Sequence, residues 1–452
     1  MDDSVLPPKL LSTLQAAAEL IRGHDFIQIY SHYDADGITA ASIAAKAALR
    51  AGKQFRVTIM TTLDDANMAV IAGTKTECVL VTDLGASFIP QLEALPCDVI
   101  VLDHHTLGVQ AQRICYANPH LYGIDGMNAG CGATMAFLFA ITLDERNWDL
   151  APVALAGVAG DRQHLAGMKG LNVFLLEGAV QRKLVQLLPG SLIPVGSLAS
   201  ALYMNTDPYI RGVSGSSDGT AQFLAAAGIP DNKEAQDLSD DERMRLSSLI
   251  AVKLIAQHTS QEKLEEAART RYYLPAWHTD AETLADMLNA CGRLGLAGVG
   301  VAAGLGDPRC LDQARELAAS ATRATMDGVL AVDNGGLCQL ANIQWFDSSD
   351  SGFTGMVAGT VMNYLGDPAK PTIGINCSEP TAKVSSRGTN AQLARGIDLA
   401  NALKRSCDAV GGQGGGHRIA SGGAFPSARR EEFLTKLDSI IGEQLAAAAK
   451  KV

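Results

Sequence analysis

Aromatic side chains are scarce, at 5% of 452 residues. That shortage disfavours stacking platforms as the basis of binding. No apolar run approaches the roughly 18 residues that a bilayer span needs. The longest candidates, Ala151–Gly160 and Leu296–Gly306, are short and broken by glycine. There is no C-x-x-C pair; nine cysteines are scattered singly, an odd number that cannot all pair within one chain. A reduced, cytoplasmic compartment fits this usage, and no membrane partner is expected. The opening residues, MDDSVLPPKL, lack the basic-then-apolar layout of a secretory leader. Positive charge is also in short supply. The net charge of −11 excludes a general polyanion-coating role. It leaves room for a nucleic-acid enzyme, because bound divalent cations and a local basic groove reverse the field where the substrate sits.

Hydrophobic residues at 47% and charged residues at 19% are those of a globular protein with a sizeable core, which rules out disorder and collagen. At about 150 residues per domain, the length predicts two or three domains. The 45 glycines point to tight turns, small-residue packing and sites built from backbone.

Strand and helix signals alternate through the first third. Leu10–Ile21 has helical spacing, Phe26–Tyr30 is β-rich, Thr39–Arg50 is an alanine-rich helix and Arg56–Met60 is a strand. Glu77–Asp83 and Cys97–Asp103 read as buried strands. Such alternation predicts a mainly parallel sheet with helices on its faces, and sites in such sheets form outside the carboxyl ends of the strands. The polar clusters SHYDADG, TDLG and DHH fall at those ends. Near 188–220 the pattern loosens into Gly, Ser and Pro. Helical stretches follow at Asp237–Ile255 and Gln261–Arg271, then short apolar runs read as strands at Leu296–Ala303, Val329–Val332 and Thr372–Asn376. An amphipathic helix is expected at Arg430–Ala449. The fold class is therefore α/β, divided as residues 1–190, a mostly helical connection 191–274, and a smaller α/β region 275–452.

His32, Asp34 and Asp36 occupy alternate positions after a strand, so in extended backbone they face one way. Carboxylates two residues apart repel unless something positive lies between them, and a divalent cation is the usual solution. A lone D-x-D-G is more often a solvated turn, and a lone strand-terminal Asp83 more often a helix cap. Asp103-His104-His105 after four buried apolar residues is harder to dismiss, since paired histidines at a strand end have little packing value. Asp161 follows the small-residue segment VALAGVAG. Together these supply four Asp plus His and no thiolate, a set suited to manganese or magnesium rather than structural zinc. Four carboxylates balance two divalent cations.

The ordered set SHYDADG, VTDLG, DHH and GDR resembles the four motifs of the DHH phosphoesterase superfamily. That superfamily includes RecJ exonucleases, oligoribonucleases, cyclic-dinucleotide phosphodiesterases and manganese-dependent pyrophosphatases. The resemblance implies that Asp34, Asp36, Asp83, His104 and Asp161 are metal ligands, with Asp83 bridging two ions. It places His105 at the metal edge against the scissile phosphate and Asp103 behind a ligand. His32 is a further candidate ligand; its H-x-D-x-D-G spacing is that of the RecJ side of the family.

GGQGGGHRIASGGAF, Gly411–Phe425, lets backbone amides approach a phosphate closely. It is not a P-loop, lacking the Lys-Ser/Thr; a tight turn is the bland reading. It resembles the GGGH motif of the DHH-associated domain, which implies substrate contacts at Gly414, Gly415, Gly416 and His417, with Arg418 adding a donor. Ser385, Ser386 and Arg387 resemble that domain's S-x-R element, where Arg can grip a phosphate bidentately. NACGRLG, Asn289–Gly295, resembles the N-A-x-G-R stretch of RecJ proteins and makes Arg293 a candidate substrate contact. GVGVAA formally fits a dinucleotide fingerprint but reads as a strand itself, whereas the fingerprint must follow one. The resemblance runs over about 25–161 and 289–425. The segment between, with NTDPYIRGVSG, is similar to archaeal RecJ-like proteins, and no additional oligonucleotide-binding barrel is expected after GGGH. The implied activity is a two-metal single-strand exonuclease on DNA or RNA, with manganese first and magnesium second. The competing readings are cleavage of short or cyclic oligonucleotides, and a replication scaffold that associates with the GINS complex.

Overall fold

The computed structural model describes residues 6–190, 192–348 and 352–449. The first five residues, where the leader reading begins, and Ser191 in the expected boundary lie outside them. The chain divides into two compact units, Met1–Gly190 with Arg269–Ala319, and Ser191–Ala268 with Ser320–Val452. No described helix is long and apolar enough to cross a membrane.

In the first unit, β1 (Phe26–His32), β2 (Gln54–Met60), β3 (Cys78–Thr82), β4 (Asp98–Leu102) and β5 (Cys115–Ala117) form a parallel sheet ordered β2-β1-β3-β4-β5. Both faces are covered. Ile27, Ile29, Leu80, Ile100 and Leu102 enter one core, and Tyr30, Val79, Val81, Val99 and Val101 the other. Strands covered on both faces read as unbroken apolar runs, which is why VLVT and VIVL stand out. The order reverses between β1 and β3, so the crevice for a ligand lies where those two strands end.

Helices α1 (Pro8–Gly23), α2 (Ala35–Arg50), α3 (Gly132–Leu143) and α4 (Ala151–Gly160) share the first core. Helices α3 and α4 are apolar on nearly every side and are buried in it along most of their length. Their small residues permit close approach. A β-carbon on Gly157 would collide with those of Ala133 and Thr39's hydroxyl.

The chain leaves this unit after β6 (Gln186–Leu188) and returns as β7 (Arg271–Leu274), which pairs antiparallel with β6 and with β8 (Thr279–Asp280). Then α5 (Ala281–Arg293) and α6 (Ala297–Gly304) bury Leu284, Leu288, Cys291 and Val301 in the same core. Residues 275–319, read from sequence with the C-terminal region, thus pack in the first unit. Residues 192–268 are mostly helical and share a core with later residues: Leu246, Ile250 and Leu254 join Met326, Val329 and Val357. Distance along the chain does not say which core a helix will join.

The second unit carries a six-stranded mixed sheet ordered β13-β14-β12-β11-β10-β9. Its strands are β9 (Cys338–Gln339), β10 (Gln344–Asp347), β11 (Thr372–Asn376), β12 (Thr381–Arg387), β13 (Gln413–His417) and β14 (Ala420–Pro426). Helix α7 (Thr354–Tyr364) packs on β11 and β12, α8 (Leu399–Ala409) on β13 and β14, and α9 (Arg430–Ala449) on α8.

Two expected strands are helices. Leu296–Ala303 lies mostly in α6, where Gly300 and Gly304 meet Ile38 and Ser42 of α2 closely. GVGVAA therefore does open a helix, but α5 and a turn precede it rather than a strand, so the dinucleotide reading still fails. Val329–Val332 ends the helix Pro308–Ala331, whose Ala321, Thr325 and Val329 are buried at four-residue intervals. Short apolar runs do not reveal their period.

Candidate metal centre

Each candidate ligand in the first unit follows an element of the core. Asp34 caps α2, its Oδ1 accepting from Gly37 N–H at 3.0 Å. Asp36, in the first turn, is buried and accepts from the Gly132 and Ala133 amides at the start of α3, at 2.7 and 2.8 Å. Asp83 follows β3 with φ of 54°, a left-handed conformation that aspartate tolerates better than most residues. Asp161 caps the C-terminal end of α4.

His104 Nδ1 lies 2.8 Å from the Gly126 carbonyl. A carbonyl only accepts, so Nδ1 carries a proton and Nε2 is the ring nitrogen left to face the carboxylates. That Nε2 lies 3.2 Å from Asp83 Oδ1, 3.4 Å from Asp161 Oδ2 and 3.6 Å from Asp36 Oδ2. His32 Nδ1 stands 2.9 Å from Asp34 Oδ2 and 3.6 Å from Asp83 Oδ2. Three ligand sets thereby converge: His32, Asp34 and Asp83; Asp36, His104 and Asp161; and Asp83, His104 and His105. Asp83 is common to the first and third, and His104 to the last two. Asp103 is buried behind them. Its oxygens accept from Ala86 N–H at 2.7 Å, His104 N–H at 2.7 Å and His105 Nδ1 at 2.7 Å.

So many acids in one buried place compete for protons. Burial, then the charges of Asp83 and Asp161, hold Asp36 well above the ordinary carboxylate range. Burial, reinforced by Asp83 and Asp34 and opposed by His104, pushes Asp161 up to about 6. Burial opposes the charge on Asp83, but His104 and His32 overcome it and hold that carboxyl low. Burial likewise opposes His32, yet Asp34 and Asp83 raise it to about 11. Divalent cations would perform this neutralisation without protons. The donor set fits them. Asp83 Oδ1 is buried and accepts no hydrogen bond, and carboxylate with imidazole suits manganese or magnesium.

Sequence reasoning missed two supporting residues, although Asn289 opens the N-A-x-G-R stretch that it singled out. Gln163 Nε2 donates to Asp161 Oδ2 at 3.2 Å and to the Gly126 carbonyl at 2.9 Å, while its Oε1 accepts from Gly130 N–H at 3.0 Å. It ties the Asp161 loop to the carbonyl that orients His104. Asn289 Oδ1 accepts from Ala35 N–H at 2.9 Å, between Asp34 and Asp36. The N-A-x-G-R stretch pointed to Arg293 instead, which lies exposed at the end of α5 in this same unit.

The remaining candidates lie in the second unit. Gly414, Gly415, Gly416 and His417 form the edge strand β13, not a loop. Strand register aligns Gly415 with Gly422 and Ser385, and His417 with Ala420 and Arg387. Gly415, Ser385, His417 and Arg387 therefore share one face. Ser386, also expected at the substrate, points the other way: it is buried beside Val384 and donates to the Ser421 carbonyl at 3.0 Å. Strand alternation separates it from its neighbours. Arg418, beyond β13, pairs with Asp398 at 3.0 Å.

Residues 26–158 match the model of the DHH family, N-terminal domain, and residues 341–443 that of the DHHA1 domain. Together the matches take in just over half the chain, which belongs to the DHH family and has a RecJ-like fold. An uncharacterized protein of Methanocaldococcus jannaschii is 29% identical over 437 residues, 94% of this chain and 96% of the relative. Among solved structures, exonuclease RecJ bound to manganese aligns with a TM-score of 0.60 and 19% identity, over 97% of this chain and 95% of that one. CDC45 from Entamoeba histolytica aligns with a TM-score of 0.66 and 12% identity, over 96% and 99%. At these identities the two structural likenesses are likenesses of fold.

Proposed function

We propose that the chain is a metal-dependent phosphodiesterase that shortens single-stranded DNA or RNA from an end, with two divalent cations, manganese first and magnesium second. The observation that carries this reading is the buried Asp83 Oδ1, unpaired by hydrogen bonds and facing His104 in the middle of the acid cluster. Asp36, His104 and Asp161 would hold one ion, Asp34 and His32 the other, and Asp83 both. Ions there would supply Lewis acidity toward a phosphoryl oxygen and a nucleophile at neutral pH. His105 does the proton work. The hydrogen bond to Asp103, against the cost of burial, raises its pKa. With Nδ1 held by Asp103, Nε2 is left to donate to a phosphate oxygen or the departing oxygen. Arg387 and His417, with the open backbone at Gly415, are proposed to take the strand, and Arg293 to add a phosphate contact.

A ligand set with every expected member favours an enzyme over a pure scaffold, and the GINS complex implied by the resemblance to archaeal RecJ-like proteins is proposed as its protein partner. End-labelled DNA and RNA of three and thirty nucleotides, digested with manganese, test the activity. Shortening of the 30-mers from one end supports it. Cleavage of 3-mers alone would replace it with a short-oligonucleotide phosphodiesterase, and metal binding without cleavage of either with a scaffold.

A further inference from the structure

The segment that returns to the first unit lies outside both family-matched regions, 26–158 and 341–443. Its helix α5 nevertheless touches the backbone on both sides of Asp34. Asn289 Oδ1 accepts from Ala35 N–H at 2.9 Å. One turn further, a β-carbon on Gly292 would collide with the Tyr33 carbonyl oxygen. At its other end α5 holds a second loop. Glu282 lies 3.2 Å from Nε2 of His164, a buried residue three positions after Asp161, and is paired with Arg269 at 2.9 Å and Arg271 at 3.3 Å.

We propose that α5 braces the two ligand loops and that Asn289 is a positioning residue for Asp34 and Asp36, an inference that rests on reading those carboxylates as metal ligands. The physical reason lies in the start of α2. Ala35 is its first residue, and its buried amide is one that a helix cannot satisfy by itself. With that amide taken by Asn289, Asp34 spends only Oδ1 on capping, at Gly37, and its Oδ2 stays 2.9 Å from His32 within the cluster. Without Asn289 the amide is left to draw water or the second oxygen of Asp34, and the carboxylate turns from the ligand position. The bland alternative is that Asn289 merely caps α2. Such a residue would affect melting and leave metal affinity alone.

The test titrates the full chain with Mn(II), reading the free ion by electron paramagnetic resonance, alongside melting of the metal-free protein. The expected result is a fall of about 10-fold or more in Mn(II) affinity for Asn289→Ala, the scale of an outer-shell loss, with a small change in melting. Asn289→Asp, which restores an acceptor oxygen, should recover most of the affinity. Should Asn289→Ala not fold, Asn289→Leu, which keeps the volume without the acceptor, takes its place. Wild-type affinity in the Ala or Leu variant, or an Asp variant as weak as they are, overturns the positioning role while the metal reading stands. A wild-type chain that binds no Mn(II) overturns both.

Discussion

His104 Nε2 stands 3.2 Å from Asp83 Oδ1, a buried oxygen that accepts no hydrogen bond. With Nδ1 committed to the Gly126 carbonyl, Nε2 is the ring nitrogen that faces the buried carboxylates. Asp83→Ala should abolish manganese-dependent hydrolysis while the fold persists. Manganese at about 100 times its dissociation constant should stabilise the wild type by about 2.7 kcal/mol, and the variant by much less. Denaturant melts with and without the ion measure this. Hydrolysis by the variant at wild-type rate would remove Asp83 from the centre.

Gly157 links core packing to the site. A β-carbon there would strike Ala133 and stand 2.9 Å from Asp36 Oδ1. Gly157→Ala should cost about 1–3 kcal/mol, the usual scale of overpacking, and weaken manganese binding as Asp36 is displaced. Urea unfolding and metal titration of the same preparation check both effects. A fully stable variant with normal metal affinity would show that α3 and α4 yield freely.

The glycines of β13 should separate by face. A β-carbon on Gly414 would lie 2.8 Å from the Leu403 carbonyl oxygen and 2.9 Å from Cys407 Sγ, whereas one on Gly415 meets nothing within 4 Å. Gly414→Ala should therefore lose about 1–3 kcal/mol of stability. Gly415→Val should fold normally and raise KM on oligonucleotides, as should Arg387→Ala and His417→Ala, with manganese binding unchanged. If all three kept wild-type kcat/KM, this face would be structural.

Glu282 gives a pH dependence. Burial opposes its charge, but Arg271, then His164 and Arg269, hold its pKa well below the ordinary 4.5. A lowered folded-state pKa means that the stabilisation is fully present above 4.5 and fades as pH falls through the folded value. Glu282→Gln should destabilise the chain at pH 7 by about 3–5 kcal/mol, the scale for breaking a buried pair. The gap from wild type should narrow below pH 4.5. A constant gap from pH 7 to 3 would show that the charge is not what matters.

Much of this architecture was legible in the residues. Continuous apolar runs with polar ends determine β3 and β4, and a β-rich run interrupted by the buried Gln28 marks β1. Together they put SHYDADG, TDLG and DHH at the carboxyl ends of these strands, where a doubly covered sheet tolerates polar groups best. Arg430–Ala449 is a helix with the expected bounds. Periodicity failed at Leu296–Ala303 and Val329–Val332, where the apolar run is too short to show its period and helix packing decided the outcome.

The sequence by itself determined which side chains were available to the site: four aspartates and the histidines, with no thiolate among them. Tertiary structure alone decided how they meet. The reversal of strand order between β1 and β3 brings Asp34, Asp36 and Asp83 together. The Gly126 carbonyl turns His104 toward them, and alternation along β12 takes Ser386 away from Arg387. Asn289 reaches Ala35 across 254 positions of chain, since a helix joins the core that buries its apolar face, however far away its partners lie in sequence.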